Sequence, residues 1–288
     1  MPQTINTNLA SLNAQRSLNT SQGSLATSMQ RLSSGLRVNS AKDDAAGLAI
    51  AERMNAQVRG MNAAVRNAND GISMAQTSEG SLGRVADALQ RMRELAVQSA
   101  NATNSASDKI SLDKEFAELA KEVQRVLGAT TFNGKHVLGT EAGSMQFQVG
   151  ANTTADDTIN ITTIDLTADA GITAVAGTDN TGAGRAVIDD TADVAAIHQV
   201  IDNIDTALDT VNSERATLGA SQSRFESVIA NLQVSVENQT AARSRIMDAD
   251  FAAETANMSR AQILQQAGNA MVAQANQLPQ QVMRLLQG

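Results

Sequence analysis

Aromatic residues and cysteine are scarce or absent in this sequence of 288 residues. It contains no Trp, no Tyr and no Cys, and only five Phe. Because large rings usually dominate protein cores, any core here must be built from Ala, Leu, Val, Ile and Met, most of which favour helices or fill helix seams. The missing thiols exclude disulfides and thiolate metal sites.

Helix breakers and histidines are equally rare. The two prolines, Pro2 and Pro279, leave the long stretch between them free of an obligate helix breaker. The two histidines, His136 and His198, lie far apart in the sequence and outside any HExxH pattern. We therefore expect no metal site and no other cofactor.

Catalytic motifs are missing too. Asp43 and Asp44 are neighbours, and adjacent helical residues point in different directions, so they do not form a converging acid and base. Their position favours the start of a helix. The glycines at Gly182–Arg185 do not form a phosphate loop, because no Lys-Ser/Thr follows them. The sequence therefore predicts a protein without catalytic residues.

Signals for membrane insertion and nucleic-acid binding are also lacking. No run of about 18 apolar residues occurs, and no basic patch is interleaved with aromatic residues. The N-terminus has neither the basic region nor the apolar region of a cleaved secretory signal. We expect a chain that is cytoplasmic, or that is exported without a cleaved signal.

Charge is distributed unevenly along the chain. Residues 138–193 contain nine acidic residues, which only Arg185 opposes, so this segment accounts for the whole formal net charge of −8. The flanking sequence is neutral. This pattern predicts a solvated, outward-facing middle and flanks that pack against each other.

Apolar residues recur at alternating spacings of three and four on both sides of this acidic middle. Such heptads are typical of helices packed side by side, and Glu79, Arg93, Arg215 and Gln222 interrupt them. A Ser/Asn-rich turn at Asn101–Asp108 separates the first long helix from a shorter one. The repeats include Ala51, Met54, Val58, Met61, Val65, Ala68, Ile72, Ala75, Leu82, Ala86, Leu89, Ala96, Leu112, Phe116, Leu119, Val123 and Val126, then Ile197, Ile201, Ile204, Leu208, Val211, Leu218, Phe225, Ile229, Leu232 and Val236.

Turn and strand signals occupy the middle of the chain. The Asn-Gly pair within Thr130–Leu138 is a strong hairpin signal. Apolar and polar residues alternate at Met145–Val149 and again over Ile159–Leu166, which predicts short strands. The Thr-, Gly- and Asp-rich stretch Ala168–Asp190 is interpreted as loop or weak strand.

Both termini carry apolar residues every seven positions, which predicts an assembly seam. The first 41 residues contain no acid and many Asn, Ser, Thr and Gln, which are weak helix formers. We therefore expect both termini to be disordered in the free monomer and to fold in a bundle of several subunits. Met29 belongs to a second N-terminal stripe, and Gly268, Ala275 and Val282 form a companion C-terminal stripe. The seam residues are Leu18, Leu25, Leu32, Leu264, Met271, Leu278 and Leu285.

These patterns predict a mainly α fold. The N- and C-terminal arms are expected to form a long antiparallel helical bundle or coiled coil, with a small central region rich in β-hairpins. The predicted segments are an N-terminal helix at 1–44, two parts of a helical core domain at 45–137 and 194–245, a short acidic outer region of strands and loops at 138–193, and a C-terminal helix at 246–288.

Long blocks of the sequence resemble the bacterial flagellins. They include RLSSGLRVNSAKDDAAGLAIAERM and LQRMRELAVQSAN in the N-terminal half, and RSRIMDADFAAETANMSRAQILQQAGNAMVAQANQL near the other end. The resemblance covers about residues 1–150 and 190–288, in the order found in that family. The very short middle departs from the large flagellins and leaves room for one small outer domain at most.

The resemblance implies a structural subunit of the extracellular flagellar filament. The terminal helices are then expected to line an inner tube, the helical core to form the next shell, and the middle to face solvent. The resemblance also implies export without a cleaved signal peptide. The implied partners are further copies of the chain, an export chaperone that binds the C-terminal helix, the filament cap and the hook-junction proteins.

One stretch, LQRMRELAVQ, also resembles the flagellin region that a vertebrate innate receptor binds. By this resemblance, Arg91, Leu95 and Glu115 are expected to contact the receptor. The alternative interpretation is that the two charged side chains are solvated or pair between subunits, and that Leu95 is a packing residue.

Heptads alone do not separate a filament subunit from other helical rods. Chemoreceptor stalks, tethers and needle-type subunits have similar repeats, and a hook–filament junction protein shares the terminal helices. A cytoplasmic signalling coiled coil would need adaptor-binding tips and usually a membrane anchor, and neither is visible. The extent of the terminal match and the short middle favour the filament subunit.

Overall fold

The chain folds mainly into α-helix, which confirms the predicted fold class. The computed structural model describes the backbone of residues 7–286 and the side chains of residues 7–277. Within this range the elements are α1 (Leu9–Ser34), α2 (Ala45–Ser99), α3 (Ala106–Ala129), β1 (Thr131–Phe132), β2 (Lys135–His136), β3 (Ser144–Gln148), a 3₁₀ turn (Ala155–Asp157), β4 (Thr158–Thr162), α4 (Ala170–Ala176), α5 (Val194–Met247) and α6 (Phe251–Leu286).

Two compact units are built from these elements. Residues up to Ala56, together with those from Glu237 onwards, form the terminal unit, and Gln57–Val236 form the central unit. Helices α2 and α5 contribute to both units. In the described part of the chain, no helix combines the length and apolar character needed to cross a membrane.

The heptad stripes of α2, α3 and α5 form the core of the central unit, as the spacing predicted. Buried members of these stripes are Ala68, Ala75, Leu82, Ala86, Leu89, Ala96, Phe116, Val123, Ile197, Ile204, Val211, Leu218 and Phe225. Two of the few aromatic rings meet here: Phe225 packs edge-on against Phe147 of β3, with ring centroids 5.6 Å apart. Apart from Phe116, the rest of the core consists of Ala, Val, Ile, Leu and Met.

Polar residues that interrupt the heptads form ion pairs between α2 and α5. Arg215 Nη2 lies 2.9 Å from Glu79 Oε1, so two of the predicted interruptions pair with each other. Arg93 donates two hydrogen bonds to Asp205, at 2.6 and 3.1 Å. Because the residue number falls on α5 as it rises on α2, the helices run antiparallel. These half-exposed pairs specify the register more than they stabilise the fold.

The turn predicted between α2 and α3 is present and ends in a capping box. Ser105 Oγ accepts a hydrogen bond from the N–H of Asp108 at 3.2 Å. The Asp108 carboxylate accepts one in return from the N–H of Ser105 at 3.0 Å. This reciprocal pair satisfies two donors at the start of the helix, which would otherwise lack partners.

Two antiparallel hairpins occupy the middle, at the predicted places. In the first, Asn133 and Gly134 have φ values of 50° and 81°, the positive values that a type I′ turn requires. In the second, β3 pairs with β4 over five residues. The strand predicted over Ile164–Leu166 is not formed. The Asp165 carboxylate there accepts hydrogen bonds from the N–H and O–H of Thr167 and makes a turn.

Helix α4 lies within the stretch Ala168–Asp190 that was interpreted as loop or weak strand. Asp169 Oδ1 accepts hydrogen bonds from the N–H groups of Gly171 and Ile172, at 3.0 and 3.1 Å, and so caps the helix. The prediction is wrong over α4, because a two-turn helix offers too few apolar positions for its period to stand out among Thr, Gly and Asp, and the rest of the stretch is loop as predicted. The buried residues of α4 are Ile172, Val175 and Ala176.

The acidic middle is only partly a solvated surface. All nine of its acidic side chains are exposed or half-buried, but several of its apolar residues belong to the core of the central unit. The segment therefore packs on the helices and presents its charged side to solvent. The core residues that it contributes are Leu138, Val149, Ile159, Ile161, Leu166, Ile172, Val175, Ala176 and Ile188.

Alanine substitutions at two glycines of α2 are expected to change stability in opposite directions. A Cβ atom at Gly71 would lie 2.8 Å from Cζ of the buried Phe225. Gly71→Ala should therefore lower the free energy of unfolding by about 1–2 kcal/mol. A Cβ atom at Gly80 meets no described atom within 4 Å. Gly80→Ala should raise the free energy of unfolding by about 0.5–1 kcal/mol. Urea denaturation measures the free energy of unfolding of each variant. Changes of the same sign in the two variants would contradict the close contact at Gly71 and the open space at Gly80.

Candidate functional site

Helices α1 and α6 pack antiparallel within the terminal unit. Near the start of α1, Asn8 Nδ2 donates a hydrogen bond to the carbonyl oxygen of Ala275 at 2.7 Å. Near its end, Arg31 Nη1 lies 3.9 Å from Glu254 Oε2. The residue numbers of the contacts thus rise on α1 and fall on α6. The two termini of the chain therefore share one helical seam.

Small and polar side chains line much of this seam. Leu18 lies so close to Gly268 that an added Cβ would be 3.2 Å from Leu18 Cδ1. Leu18, Leu25 and Leu32, the predicted seam residues of α1, are half-buried. Such a seam buries little apolar surface, so it stabilises the helix pair only weakly. The buried positions of the two helices are Ser11, Ser28, Glu254, Ala261 and Ala275.

In the predicted leucine and methionine stripe of α6, the two residues whose side chains are described are exposed. Leu264 is 51% exposed and Met271 is 61% exposed. Two residues of the companion stripe lie in the seam, because Gly268 lies close to Leu18 and Ala275 is buried. Leu264 and Met271 are therefore open to a partner outside their own chain.

Other large apolar residues of the terminal helices are exposed as well. Met29, expected in a second stripe of α1, is 56% exposed. Leu278 and Leu285, the remaining predicted seam residues, lie outside the residues whose side chains are described. We call the exposed set the outer apolar surface, and it comprises Leu9, Leu12, Met29, Phe251, Ile263, Leu264 and Met271.

A short joint connects α1 to α2 and α5 to α6 within the terminal unit. The backbone N–H of Arg37 donates to the carbonyl oxygen of Met247 at 2.7 Å, and its guanidinium donates to that of Ile246 at 2.6 Å. Val38, Ala51 and Met247 are buried together beside these hydrogen bonds. The joint therefore links the segment after α1 to the segment before α6 by hydrogen bonds and by a small apolar cluster.

Asp43 and Asp44 order the backbone at this joint. Asp44 Oδ1 accepts a hydrogen bond from the N–H of Gly47 at 2.8 Å, in the first turn of α2. Backbone and side-chain hydrogen bonds from Ser40, with a further one from the N–H of Asn39, lower the pKa of Asp43 below its ordinary value. Asp44 thus has the role at a helix start that the sequence favoured, whereas Asp43 orders the turn that precedes the helix.

A repeated Asp-x-Thr pattern explains part of the acidic charge of the middle. In each copy, Asp Oδ1 accepts hydrogen bonds from both the N–H and the O–H of the Thr two positions later. The sequence prediction missed these Asx turns, although the pattern that signals them is visible. The N–H···Oδ1 distances are 3.0 Å for Asp165–Thr167, 2.8 Å for Asp179–Thr181 and 2.9 Å for Asp189–Thr191.

Arg185, the single base of the middle, pairs with Asp113 of α3. Its two guanidinium nitrogens donate to the two carboxylate oxygens at 2.8 and 2.6 Å, and Asp113 also accepts from the N–H of Ile188 at 3.1 Å. Burial alone would raise the pKa of Asp113, but these hydrogen bonds and the guanidinium charge hold it below its ordinary value. Ser99 Oγ donates to the carbonyl oxygen of Ile188 at 2.6 Å. Together these bonds anchor the middle on α2 and α3.

A second buried carboxylate, on α5, has fewer partners. Glu214 is 7% exposed, and its Oε1 has no hydrogen-bond partner among the described residues. Burial raises the pKa of Glu214 above its ordinary value, and a hydrogen bond from the backbone of Ile164 offsets only part of this effect. The charged form of Glu214 is therefore unfavourable in the folded chain.

Glu214→Gln is expected to stabilise the chain at neutral pH. Because the folded-state pKa is raised, the penalty on the wild type is present above that pKa and disappears as the pH falls to the unfolded value of 4.5. The urea midpoint of the variant should exceed that of the wild type at neutral pH and approach it on acidification. An advantage that stays constant with pH would show that ionisation of Glu214 is not its cause.

Two of the three residues assigned to receptor contact lie on one exposed surface. Arg91 Nε donates to Glu115 Oε1 of α3 at 2.8 Å, and Arg91 Nη1 donates to Glu94 Oε2 at 2.9 Å. Leu95 is only 1% exposed and belongs to the core of the central unit. This corrects the expectation for Leu95, because its side chain packs inside the fold and is not available to a partner.

Ionisable groups do not gather into a metal site in the described part of the chain. No three His, Asp or Glu residues there are placed to hold a metal ion. His136 Nδ1 lies 2.6 Å from the carbonyl oxygen of Gly128, and His198 is exposed on α5. The outer apolar surface is a feature of the terminal unit that packing within the described chain does not explain.

Known proteins match this chain over nearly its whole length. A family model described as the bacterial flagellin N-terminal helical region matches residues 5–142, and one described as the C-terminal helical region matches residues 201–286. A flagellin of Halalkalibacterium halodurans is 46% identical, covering 98% of this chain and 99% of that protein. A flagellin of Xenorhabdus nematophila is 45% identical, covering 99% and 100%. The crystal structure of Bacillus cereus flagellin is 32% identical and covers 62% of this chain and 94% of that chain, with a TM-score of 0.48.

Proposed function

This chain belongs to the bacterial flagellins, and from that premise we propose that it polymerises into a flagellar filament through the outer apolar surface of its terminal unit. The proposal rests on the distribution of side chains on α1 and α6. Small and polar residues line much of the seam between the two helices, whereas several large apolar residues are exposed to solvent. Large apolar side chains that are exposed on both helices of this pair are candidates for burial by a neighbouring copy. Neighbouring copies that cover this surface would gain the free energy of burying it.

The contacts between neighbours are proposed to be heterologous. The outer apolar surface on α1, which includes Leu12 and Met29, differs from that on α6, which includes Leu264 and Met271. Contacts between unlike surfaces repeat without closing when the rotation between subunits does not complete a ring, and they then build an open helix. Such a polymer serves swimming motility as a mechanical element, without a catalytic step.

We assign each segment a layer in this filament. Residues 1–44 and 246–288 are proposed to form the inner tube, 45–137 and 194–245 the surrounding shell, and 138–193 the outer face. The weak α1–α6 seam supports disorder of the terminal segments in the free monomer, because so little apolar surface is buried between them. They would fold as neighbouring subunits add the missing contacts.

Export without a cleaved signal and the export, junction and cap partners are proposed from the resemblance to flagellins. The chain is proposed to leave the cell without a cleaved signal peptide. A dedicated chaperone would cover the exposed apolar residues of α6, such as Ile263 and Leu264, before export. Hook-junction and cap proteins would then contact the two ends of the filament.

Seeded growth tests the proposed polymerisation. Short sheared filaments are added to the full chain, or to a variant lacking residues 1–44 and 246–288, and the pellets are examined by electron microscopy. Only the full chain is expected to elongate the seeds, while circular dichroism reports whether the shortened chain is still helical. A full chain that stays a monomer or a discrete dimer would contradict the proposal and favour a junction protein or a signalling rod.

We also propose that a vertebrate innate receptor for flagellin binds the surface around Arg91 and Glu115. The resemblance of residues 89–98 and the exposure of both side chains on adjacent helices support this. In a reporter-cell assay, Arg91→Ala and Glu115→Ala monomers should signal less than wild type, with Arg125→Ala on α3 as the control. Signalling equal to wild type by both variants would refute the assignment.

A further inference from the structure

Methionine side chains differ widely in exposure along this chain. Met74 and Met92 are fully buried in the central unit, and Met61 and Met247 are nearly so. Met54, Met145 and Met258 are half-buried. Among the methionines whose side chains are described, only Met29 and Met271 are exposed, and both belong to the outer apolar surface.

We propose that Met29 and Met271 form a peroxide-sensitive modification site, and that their oxidation in the free subunit prevents assembly. The second part rests on the proposed function, because it requires neighbours to cover the outer apolar surface. In the reaction, a peroxide transfers one oxygen atom to the thioether sulfur. The O–O bond breaks, the sulfur is oxidised to a sulfoxide, and hydrogen peroxide is reduced to water.

Exposure determines which methionines react. A thioether must meet the oxidant at its sulfur, so a side chain without solvent contact is oxidised only when the fold opens. Met29 on α1 and Met271 on α6 meet this condition in the single chain, and the proposed disorder of the terminal segments before assembly would expose them further, whereas Met74 and Met92 are buried in the central unit. The structure therefore predicts that Met29 and Met271 are oxidised faster than Met74 and Met92 in the core of the central unit.

The change in polarity connects oxidation to assembly. Methionine is flexible and apolar, so it adapts readily to a neighbouring surface and loses little when water is removed. A sulfoxide oxygen accepts hydrogen bonds from water and must lose them when a neighbour covers it. Because each added subunit repeats the contact, the cost recurs at every step of elongation.

Assembly should in turn protect the two sulfurs. Once neighbours cover the outer apolar surface, Met29 and Met271 lose the solvent contact that they have in the free chain. The free subunit is then the sensitive form and the filament the resistant one. A surface that stayed open in the filament would be oxidised equally in both forms.

Peptide mass mapping tests the modification site. The native chain and the assembled filament are treated briefly with hydrogen peroxide, and the gain of one oxygen is measured at each methionine. In the free chain, Met29 and Met271 should react at least about tenfold faster than Met74 and Met92, and in the filament this difference should be lost. Uniform oxidation of all four methionines in the folded free chain would overturn the assignment.

Seeded elongation tests the effect on assembly. For each protein, the elongation rate after peroxide treatment is divided by the rate without treatment. Any effect of the substitution itself on elongation then cancels in this ratio. The ratio should fall to about one tenth or less in wild type and in the Met54→Leu/Met145→Leu control, which corresponds to about 1.4 kcal/mol. It should stay near one in Met29→Leu/Met271→Leu.

Two results would overturn the effect on assembly. One is undiminished elongation by a wild-type chain in which both methionines are mapped as oxidised. The other is a loss of elongation in Met29→Leu/Met271→Leu as large as in wild type. An untreated wild-type chain that never elongates seeds would contradict the proposed function instead, and the peptide map would still decide the modification site by itself.

Discussion

Replacing both Leu264 and Met271 by glutamine should abolish seeded elongation and leave the central unit folded. Both side chains are more than half exposed. Fully burying a Leu or Met side chain contributes about 1.5–3 kcal/mol, so covering the exposed half contributes about 1 kcal/mol. Burying an unpaired glutamine amide costs at least about 1 kcal/mol more. The double change should weaken each subunit contact by about 4 kcal/mol and raise the concentration needed for elongation about a thousandfold.

The matched control is Ile164→Gln with Val187→Gln. These two residues are also exposed, but they lie in the middle of the chain, which is proposed to face outwards. The pelleted fraction after seeding measures elongation, and far-UV circular dichroism reports the fold. Normal elongation by the Leu264→Gln/Met271→Gln chain, or an equal loss in the control, would contradict the role of the outer apolar surface.

Asp113→Ala should lower the free energy of unfolding of the central unit by about 3 kcal/mol. It leaves Arg185 without its counter-charge and the N–H of Ile188 without its acceptor. Breaking a buried ion pair costs about 3–5 kcal/mol, and this pair keeps slight solvent contact. Asp113→Ala combined with Arg185→Met should recover part of the loss, because no charge is then left unpaired. Urea denaturation measures both variants.

The pH dependence of this loss identifies its cause. Because the pKa of Asp113 is lowered in the folded chain, the pair stabilises above the ordinary value of 3.8, and this contribution is lost as the pH falls through the folded value. The difference between wild type and Asp113→Ala should therefore shrink in acid. Arg91→Gln, which breaks the exposed pair with Glu115, should have little effect. Equal losses from Asp113→Ala and Arg91→Gln would contradict the buried anchor.

Periodicity predicted the long helices well because it records burial at every turn. The stripe through Leu82 and Leu89 and the stripe through Ile204 and Leu218 are buried as their spacing indicated. The Asn-Gly pair also identified its hairpin, since few other residues adopt two successive positive φ values. Both signals are local, so neither depends on knowing the partner surface.

Short elements gave weaker signals. Helix α4 spans seven residues, and its cap at Asp169 is one of many Asp residues in a stretch rich in Thr and Gly. The turns at Asp165 and Asp189 depend on side-chain hydrogen bonds to a Thr two positions later. From the number of acidic residues we predicted solvated charges. The hydrogen bonds that these carboxylates accept from nearby backbone N–H groups were not predicted.

Spacing could not decide which stripe of α6 faces α1. The stripes through Leu264 and through Gly268 both recur every seven residues, and size alone would place the leucine inside. Leu18 of α1 packs against Gly268, where there is no side chain, so Gly268 and not Leu264 lies at the closest approach of the two helices. The orientation depends on the residue opposite, which lies about 250 positions away in the sequence. The same limit applies to Leu95, which lies four positions from the exposed Arg91 and is nonetheless buried.

The exposure of the outer apolar surface in the assembled state tests the central claim most directly. Electron cryo-microscopy of filaments grown from this chain would resolve the surroundings of Leu264 and Met271 in every subunit. We predict that their exposed fractions fall from 51% and 61% in the single chain to nearly zero, with side chains of neighbouring copies in contact. If both residues stay as open to solvent in the filament as in the single chain, the polymer is held together elsewhere and the proposed role of this surface is wrong.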